Sequence, residues 1–266
     1  MNDRVALVTG AARGIGAATV LALAGAGWSV LAVDSAADDP ALPYPMATPA
    51  DLSEVVRRAG GAAGAGPVRS FVADVRDPDA VAAAVAEAER HWGGLDAAVA
   101  AAGVIAGGVP LWEVPPAQQQ AGLDVNLGGV LSLARAAVPA LLRRPVPRSG
   151  RFLAVASAAA TRGLPMLAAY CAAKAGVTGL IRALAAELAD SGVTANAVSP
   201  GSTATPILDE SARLYRLPGV EAFASQQPAG RLLDPAEVAA VLAFLAGPAS
   251  SGMTGAVVPV DGGLAL

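Results

Sequence analysis

Cysteine, histidine and lysine each occur once, at Cys171, His91 and Lys174. A single cysteine excludes an intrachain disulfide and fits a reducing cytoplasm. A single histidine, at the polar end of an expected helix, excludes a histidine-built metal centre and reads as a solvated or capping residue, so no metal is expected. Charge is sparse: 15% of residues are charged, the formal net charge is −4, and no block of five or more like charges forms a footprint for a phosphate backbone. That argues against nucleic acid as a partner. Aromatic residues make up 4% against 54% hydrophobic, so the core must be filled by Ala, Val and Leu, which suits close packing of helix on sheet, and disorder on a large scale is not expected. The uncharged run from Gly14 to Val33 is as long as a membrane span, but Gly25 and Gly27 fall where a single helix would have to continue. It reads instead as a helix followed by a strand, and no membrane segment is expected. The start, Met1-Asn2-Asp3-Arg4, leads into an apolar strand without a basic region or cleavage site, so no leader is expected either.

What is present is an alternation of apolar runs of strand length with Ala-rich stretches of helix length. Strands are expected at Val5 to Thr9, Ser29 to Val33, Val68 to Ala73, Ala97 to Ala101, Phe152 to Ala156, Thr194 to Val198 and Ala256 to Val260. Helices are expected at Gly14 to Ala26, Asp77 to His91, Pro116 to Leu142, Ala168 to Ala189 and Pro235 to Leu245. Strands that are apolar throughout, rather than alternating, belong to a parallel sheet covered on both faces. The expected fold class is therefore α/β: a single-domain, doubly wound Rossmann sheet of about seven parallel strands with helices on both faces, spanning 1–266. Two stretches break the rhythm. Residues 35–51 carry Asp38, Asp39 and four prolines before a helix that starts at Thr48-Pro49-Ala50-Asp51, with Thr48 as N-cap and Pro49 at the first helical position. This is an insertion beside whatever binds at the end of the second strand. Residues 202–230 are polar and punctuated by Pro and Gly, and read as a mobile substrate lid.

Thr9-Gly10-Ala11-Ala12-Arg13-Gly14-Ile15-Gly16 follows the first strand and opens the first helix. Glycines there let the backbone approach a pyrophosphate, which the free N–H groups and the positive helix end would receive. Asp34 ends the second strand 24 positions after Gly10. A carboxylate there accepts ribose hydroxyls and repels a 2′-phosphate, which favours NAD over NADP. Arg13 is a counter-signal, because it could pair with that phosphate. Asp74-Val75, at the end of the third strand, is placed to meet an adenine edge; a helix-starting Asp is the competing reading.

Tyr170-Cys171-Ala172-Ala173-Lys174 puts a phenol and an ammonium at i and i+4 on one helix face. A free phenol ionises near pH 10, and an adjacent cation and an oxidised nicotinamide would both lower that, making a usable acid and base. Lys174 is the one lysine among 18 basic residues, and a compact ammonium does what a guanidinium fork cannot beside a phenol and a ribose. Ser157 follows a strand at the carboxyl edge, where ligands collect, and can hold a substrate oxygen; a turn residue is the alternative. Asn126 sits inside an expected helix, where Asn is unfavourable without a specific partner, so a kink or water site is expected. Val104, Ile105, Leu164, Met166 and Leu167 would line an apolar substrate pocket, unless they are core residues.

Together these residues resemble the classical short-chain dehydrogenase/reductase family, from Val5 to Gly263. Thr9 to Gly16 is similar to its TGxxxGIG turn, and Asn126, Ser157, Tyr170 and Lys174 fall at its catalytic tetrad positions. Pro200-Gly201 with Thr203 and Thr205 resembles the segment that contacts the nicotinamide, and Ala101 and Gly103 fall beside the cofactor. Asp261-Gly262-Gly263 resembles a C-terminal signature near subunit contacts, and the resemblance implies a homotetramer. The insertion from Asp38 to Pro49 is similar to that of the mycofactocin-coupled subfamily, which includes carveol dehydrogenase-like enzymes. This implies a tightly held NAD reoxidised by a peptide-derived redox carrier. One departure is Ala100-Ala101-Ala102-Gly103 in place of the family's Asn-Ala-Gly, which removes a side chain that ties neighbouring strands. The expected activity is interconversion of a hydrophobic alcohol and its carbonyl. Two alternatives stand beside it: an NADP-linked ketone reductase with freely exchanging cofactor, and a catalytically silent NAD-binding sensor.

Overall fold

The first strand, β1 (Val5–Thr9), is buried at every residue, because both faces of the sheet it joins are covered. A computed structural model describes residues 4–61 and 63–266; the start Met1-Asn2-Asp3 lies outside the described residues. β2 (Ser29–Asp34), β3 (Val68–Val72), β4 (Ala97–Ala100), β5 (Gly150–Val155), β6 (Val193–Pro200) and β7 (Val257–Val260) complete one sheet in the order β3-β2-β1-β4-β5-β6-β7. Every pairing is parallel. The seven-stranded Rossmann-type architecture is the expected one.

Side chains alternate between two cores. Val5 and Leu7 face α3 (Pro78–Trp92), α5 (Gly129–Arg143) and α6 (Ala168–Glu187). Ala6 and Val8 face α1 (Gly14–Gly25), α2 (Pro49–Gly60) and α8 (Pro235–Ala246). Alanine dominates the contact because strand and helix must approach closely. The chain leaves β1 toward β2 on one side, while β4 pairs with β1 on the other. The loops after β1 and β4 therefore part at the carboxyl edge, and such a switch point is where α/β sheets bind ligands.

The run Gly14 to Val33 is divided as expected, with α1 ending at Gly25 and β2 starting at Ser29. Several other expectations shift. The expected helix Pro116 to Leu142 is three pieces: α4 (Pro116–Leu123), a π-helical turn (Asp124–Gly128), and α5. Its length and composition would suffice to cross a membrane, but half of its most apolar stretch is buried inside the protein, and α5 packs on α3 and β5. The edge strand β3 is less apolar in place than in sequence, since Arg69, Ser70 and Val72 are exposed. Residues 202–230 are not an open loop: they contain α7 (Pro206–Leu214) and a 3-10 stretch (Val220–Gln226), which share a small core of Leu208, Ala212 and Phe223. Pro206 stands at the first helical position, where its missing N–H costs nothing, so punctuation that reads as loop in sequence is a helix start. Thr48 caps α2 as expected, accepting from the Asp51 N–H at 3.2 Å while the Asp51 carboxylate accepts from the Thr48 N–H at 2.8 Å.

Candidate active site

The turn after β1 has no room for side chains. A Cβ on Gly10, whose φ is +65°, would lie 2.6 Å from the Ala102 backbone, and one on Gly16 would lie 1.9 Å from the Gly10 carbonyl. Helix α1 then begins without a side-chain cap on its N-cap residue, Arg13, and without an acid in its first turn. Its first N–H groups and the positive end of its dipole face the cleft uncompensated, which fits a pyrophosphate. Thr9 does the work of the absent Asn after β4: its Oγ1 accepts from the N–H groups of Ala101 and Ala102 at 3.2 and 3.4 Å and donates to the Val99 carbonyl at 3.4 Å.

Gly10, Arg13, Gly14, Ile15, Gly16, Asp34 and Val75 share one cleft with Ala101, Gly103, Lys174 and Thr205. Asp34 is held rigidly: one carboxylate oxygen accepts from the Ala12 N–H at 3.0 Å, the other from the Ala36 N–H at 3.1 Å. Arg13 donates to the Pro45 carbonyl at 3.1 Å and lies 3.9 Å from the Met46 sulfur, tying down the insertion. Asp74 also lines the cleft, and it is not the helix start; Asp77 caps α3 by accepting from Asp79 and Ala80. The Asp74 carboxylate is engaged by Arg76 at 2.6 Å, and the same guanidinium reaches Asp39 of the insertion at 2.7 Å. Desolvation works to raise the Asp74 pKa, but its bonds to Arg76 prevail and hold it below the usual carboxylate range. Arg76, Asp38, Asp39 and Met46 line the cleft too, and the residue reading missed Arg76. Its signal was an arginine directly after a strand-end Asp.

Pro200, Gly201 and Thr203 stand apart from the cleft lining. Gly201 is pressed against the Asp261 backbone, where a Cβ would lie 2.6 Å from its carbonyl oxygen. Thr203 bridges to Leu233 and donates to the Gly201 carbonyl at 3.1 Å. Only Thr205 of this segment reaches the glycine turn, with its methyl 3.2 Å from a Cβ built on Gly14.

Tyr170 and Lys174 share a face of α6, with the ammonium 5.8 Å from the ring centroid. Lys174 is 4% exposed and donates to the Val155 carbonyl at 2.9 Å. Burial lowers its pKa from 10.5 to about 8. Tyr170 is half-buried by surface area but surrounded as closely as an interior group. Desolvation therefore raises its phenol above the ordinary 10.0, opposed by the nearby Ser157 hydroxyl. The expected lowering by Lys174 does not contribute in the protein alone; burial sets the direction. The Ser157 oxygen accepts from the Ala159 N–H at 3.1 Å, which leaves its own proton unused by the backbone. Asn126 lies in the π turn and is fully buried. Its side chain accepts from the Val104 N–H at 3.0 Å and donates to the Val104 carbonyl at 2.9 Å, so it clamps the segment after β4. A Cβ on Gly103 would lie 3.1 Å from Asn126 Oδ1 and 3.7 Å from Lys174 Nζ, which keeps glycine there.

The expected apolar pocket is divided. Val104 lines the nucleotide cleft, while Ile105 opens on a second cavity of about 380 Å³ walled by Pro43, Glu210, Arg213 and Leu214. Leu164, Met166 and Leu167 line neither; Leu167 is core. Tyr44 of the insertion crosses between the two, its hydroxyl accepting from the Ile105 N–H at 2.9 Å. Burial pushes its pKa up to about 12, so it stays neutral.

Known proteins are similar to this chain over nearly its whole length. The family model described as Enoyl-(Acyl carrier protein) reductase matches residues 10–265. The cis-4-hydroxycyclohexanecarboxylate dehydrogenase of Sinomonas cyclohexanicum is 39% identical, over 98% of this chain and 96% of its own. The short-chain reductase protein NovJ of Streptomyces niveus is 39% identical over 98% and 94%. The crystal structure of carveol dehydrogenase from Mycobacterium avium in complex with NAD superposes with a TM-score of 0.91 at 33% identity, covering 98% of this chain and 97% of that one. On matches of this extent, joined to the glycine turn and the Tyr170–Lys174 face, the chain belongs to the short-chain dehydrogenase/reductase family of oxidoreductases.

Proposed function

We propose that this protein is an NAD-dependent dehydrogenase that interconverts a hydrophobic secondary alcohol and its ketone. The observation that carries the reading is the meeting of Ser157, Tyr170 and Lys174 beside a cleft whose far end carries the Asp34 carboxylate. The cofactor is NAD: Asp34 repels a 2′-phosphate, and the two arginines of the cleft are turned to the insertion and its neighbour, Arg13 to Pro45 and Arg76 to Asp39 and Asp74. When bound, the nicotinamide supplies a hydride acceptor for alcohol oxidation. Ser157 fixes the alcohol oxygen, and the Tyr170 phenolate takes its proton. Lys174 has two further N–H donors beyond the one used on Val155, enough to hold a ribose hydroxyl, and its charge favours the phenolate. Asn126 acts by holding the Val104 backbone, and hence the floor of the site, in place.

The insertion 35–51 is read as a strap over adenosine, since Arg13 to Pro45, Arg76 to Asp39 and Tyr44 to Ile105 pin it at three points. A strap so pinned supports a slowly exchanging NAD, reoxidised in place by a mycofactocin-type carrier, rather than a freely exchanging NADP enzyme. Residues 202–230 serve as the substrate lid. The lone Cys171 suits the cytoplasm, and the exposed Leu131 on α5 and Phe244 on α8 suit a homotetramer. Mass spectrometry of the purified protein, followed by an alcohol panel with an artificial electron acceptor, tests this. Retained NAD and acceptor-dependent oxidation are expected; steady turnover on free NADP would contradict it.

A further inference from the structure

The strands that end at the catalytic edge begin, at the opposite edge, with polar side chains that the interior does not satisfy. Arg151, near the start of β5, is 1% exposed. Its Nε donates to the Gly247 carbonyl at 3.3 Å and its Nη1 to the Gly150 carbonyl at 2.9 Å, but Nη2 has no partner. Thr194 stands beside Arg151 in the β5–β6 register, and its Oγ1 is likewise buried and unpartnered. Among the described residues, these two atoms are the buried side-chain nitrogens and oxygens without a hydrogen bond. In-register neighbours of a parallel sheet point to the same face, and both residues line one cavity of about 290 Å³.

Charge indicates the occupant. A guanidinium remains protonated, and among the described residues no carboxylate lies within ion-pair distance of Arg151. Arg148 lines the same cavity and Arg4 stands behind it, donating to Ser149 at 3.2 Å, against one cavity carboxylate, Asp190. A buried cation with an empty donor is costly unless an anion accompanies it. Water would fill the donor but leave the charge.

We infer that this cavity binds a small free oxyanion, phosphate or sulfate, through Arg151 Nη2 and Thr194 Oγ1, with Arg148 and Ser251 at its mouth. The ligand reaches the two sealed atoms by parting the exposed turns at 189–192 and 251–252. From Arg151 to Ser157 is one strand length, about 20 Å, so this site is separate from the substrate site and does not rest on the proposed activity.

The test is thermal unfolding of the full chain at fixed pH and ionic strength, with chloride exchanged for phosphate between about 1 and about 100 mM. For a site of millimolar affinity Tm rises by about 5 °C over this range, following the logarithm of phosphate concentration above the dissociation constant. Arg151→Met abolishes the response; should that variant not fold, Thr194→Val shifts the response to about tenfold higher phosphate, the cost of one lost hydrogen bond. The inference is overturned if Tm does not move, if it climbs in direct proportion to phosphate concentration, or if both variants respond as the parent does, since general exclusion of the anion from protein surface would then explain the effect.

Discussion

Lys174 is held in the fold at a cost that can be measured. It is 4% exposed, and burial lowers its pKa from 10.5 to about 8. A group whose folded pKa is depressed in this way takes up a proton on unfolding, so for a lysine the penalty on the folded state is complete below about pH 8 and fades as the pH rises toward 10.5. At about 1.4 kcal/mol per pH unit, the gap amounts to about 3 kcal/mol. Lys174→Met removes that penalty and also the bond to the Val155 carbonyl, which is worth about 1 kcal/mol. The nucleotide-free variant should therefore be about 2 kcal/mol more stable than the parent at pH 7, or about 5 °C in Tm. Near pH 10 the advantage should vanish. Scanning calorimetry of both stripped proteins at the two pH values measures it. A variant no more stable at pH 7, or more stable by the same amount at both pH values, would refute the reasoning. The same variant should be inactive, which is why the fold tolerates the lysine.

Three further outcomes follow from the cleft. Asp34→Ala removes the acceptor for Ala12 and Ala36, and should lower kcat/KM with NAD at least about tenfold, the worth of one charge-assisted bond, while that with NADP holds or rises. Gly16→Ala places a Cβ 1.9 Å from the Gly10 carbonyl, and denaturant unfolding should show a loss of about 3 kcal/mol or failure to fold. Arg76→Ala frees Asp39 and Asp74 together. Dialysis followed by absorbance at the adenine band should find nucleotide lost about tenfold faster than from the parent, by about 1.4 kcal/mol of strap contact.

The sheet was legible because most of its strands are apolar throughout, and the start of α2 because Thr48 caps it before Pro49. The glycine turn and the Tyr170–Lys174 pair were legible because both are local, one a run of eight residues and the other one helical turn. Contacts made across the chain were not. Nothing in the spacing shows that Arg13 serves Pro45, that Arg76 joins Asp39 to Asp74, or that Tyr44 reaches Ile105 across 61 positions. The π turn was only half legible: Asn126 marked a disturbed helix, but its partner, the Val104 backbone, lies on another element. Helix α7 was missed because Pro206 looks like a loop residue until Thr205 is seen to precede a helical first turn.

The central claim is that the Tyr170 phenol carries the substrate proton at the cofactor's edge. Tyr170→Phe keeps the ring, its packing and the Lys174 contact, and removes only the hydroxyl. Single-turnover reduction of the bound nucleotide by alcohol, followed at the absorbance band of the reduced nicotinamide, should slow by about 10²-fold to about 10⁴-fold with the nucleotide still held. A rate within a few-fold of the parent's would contradict the account.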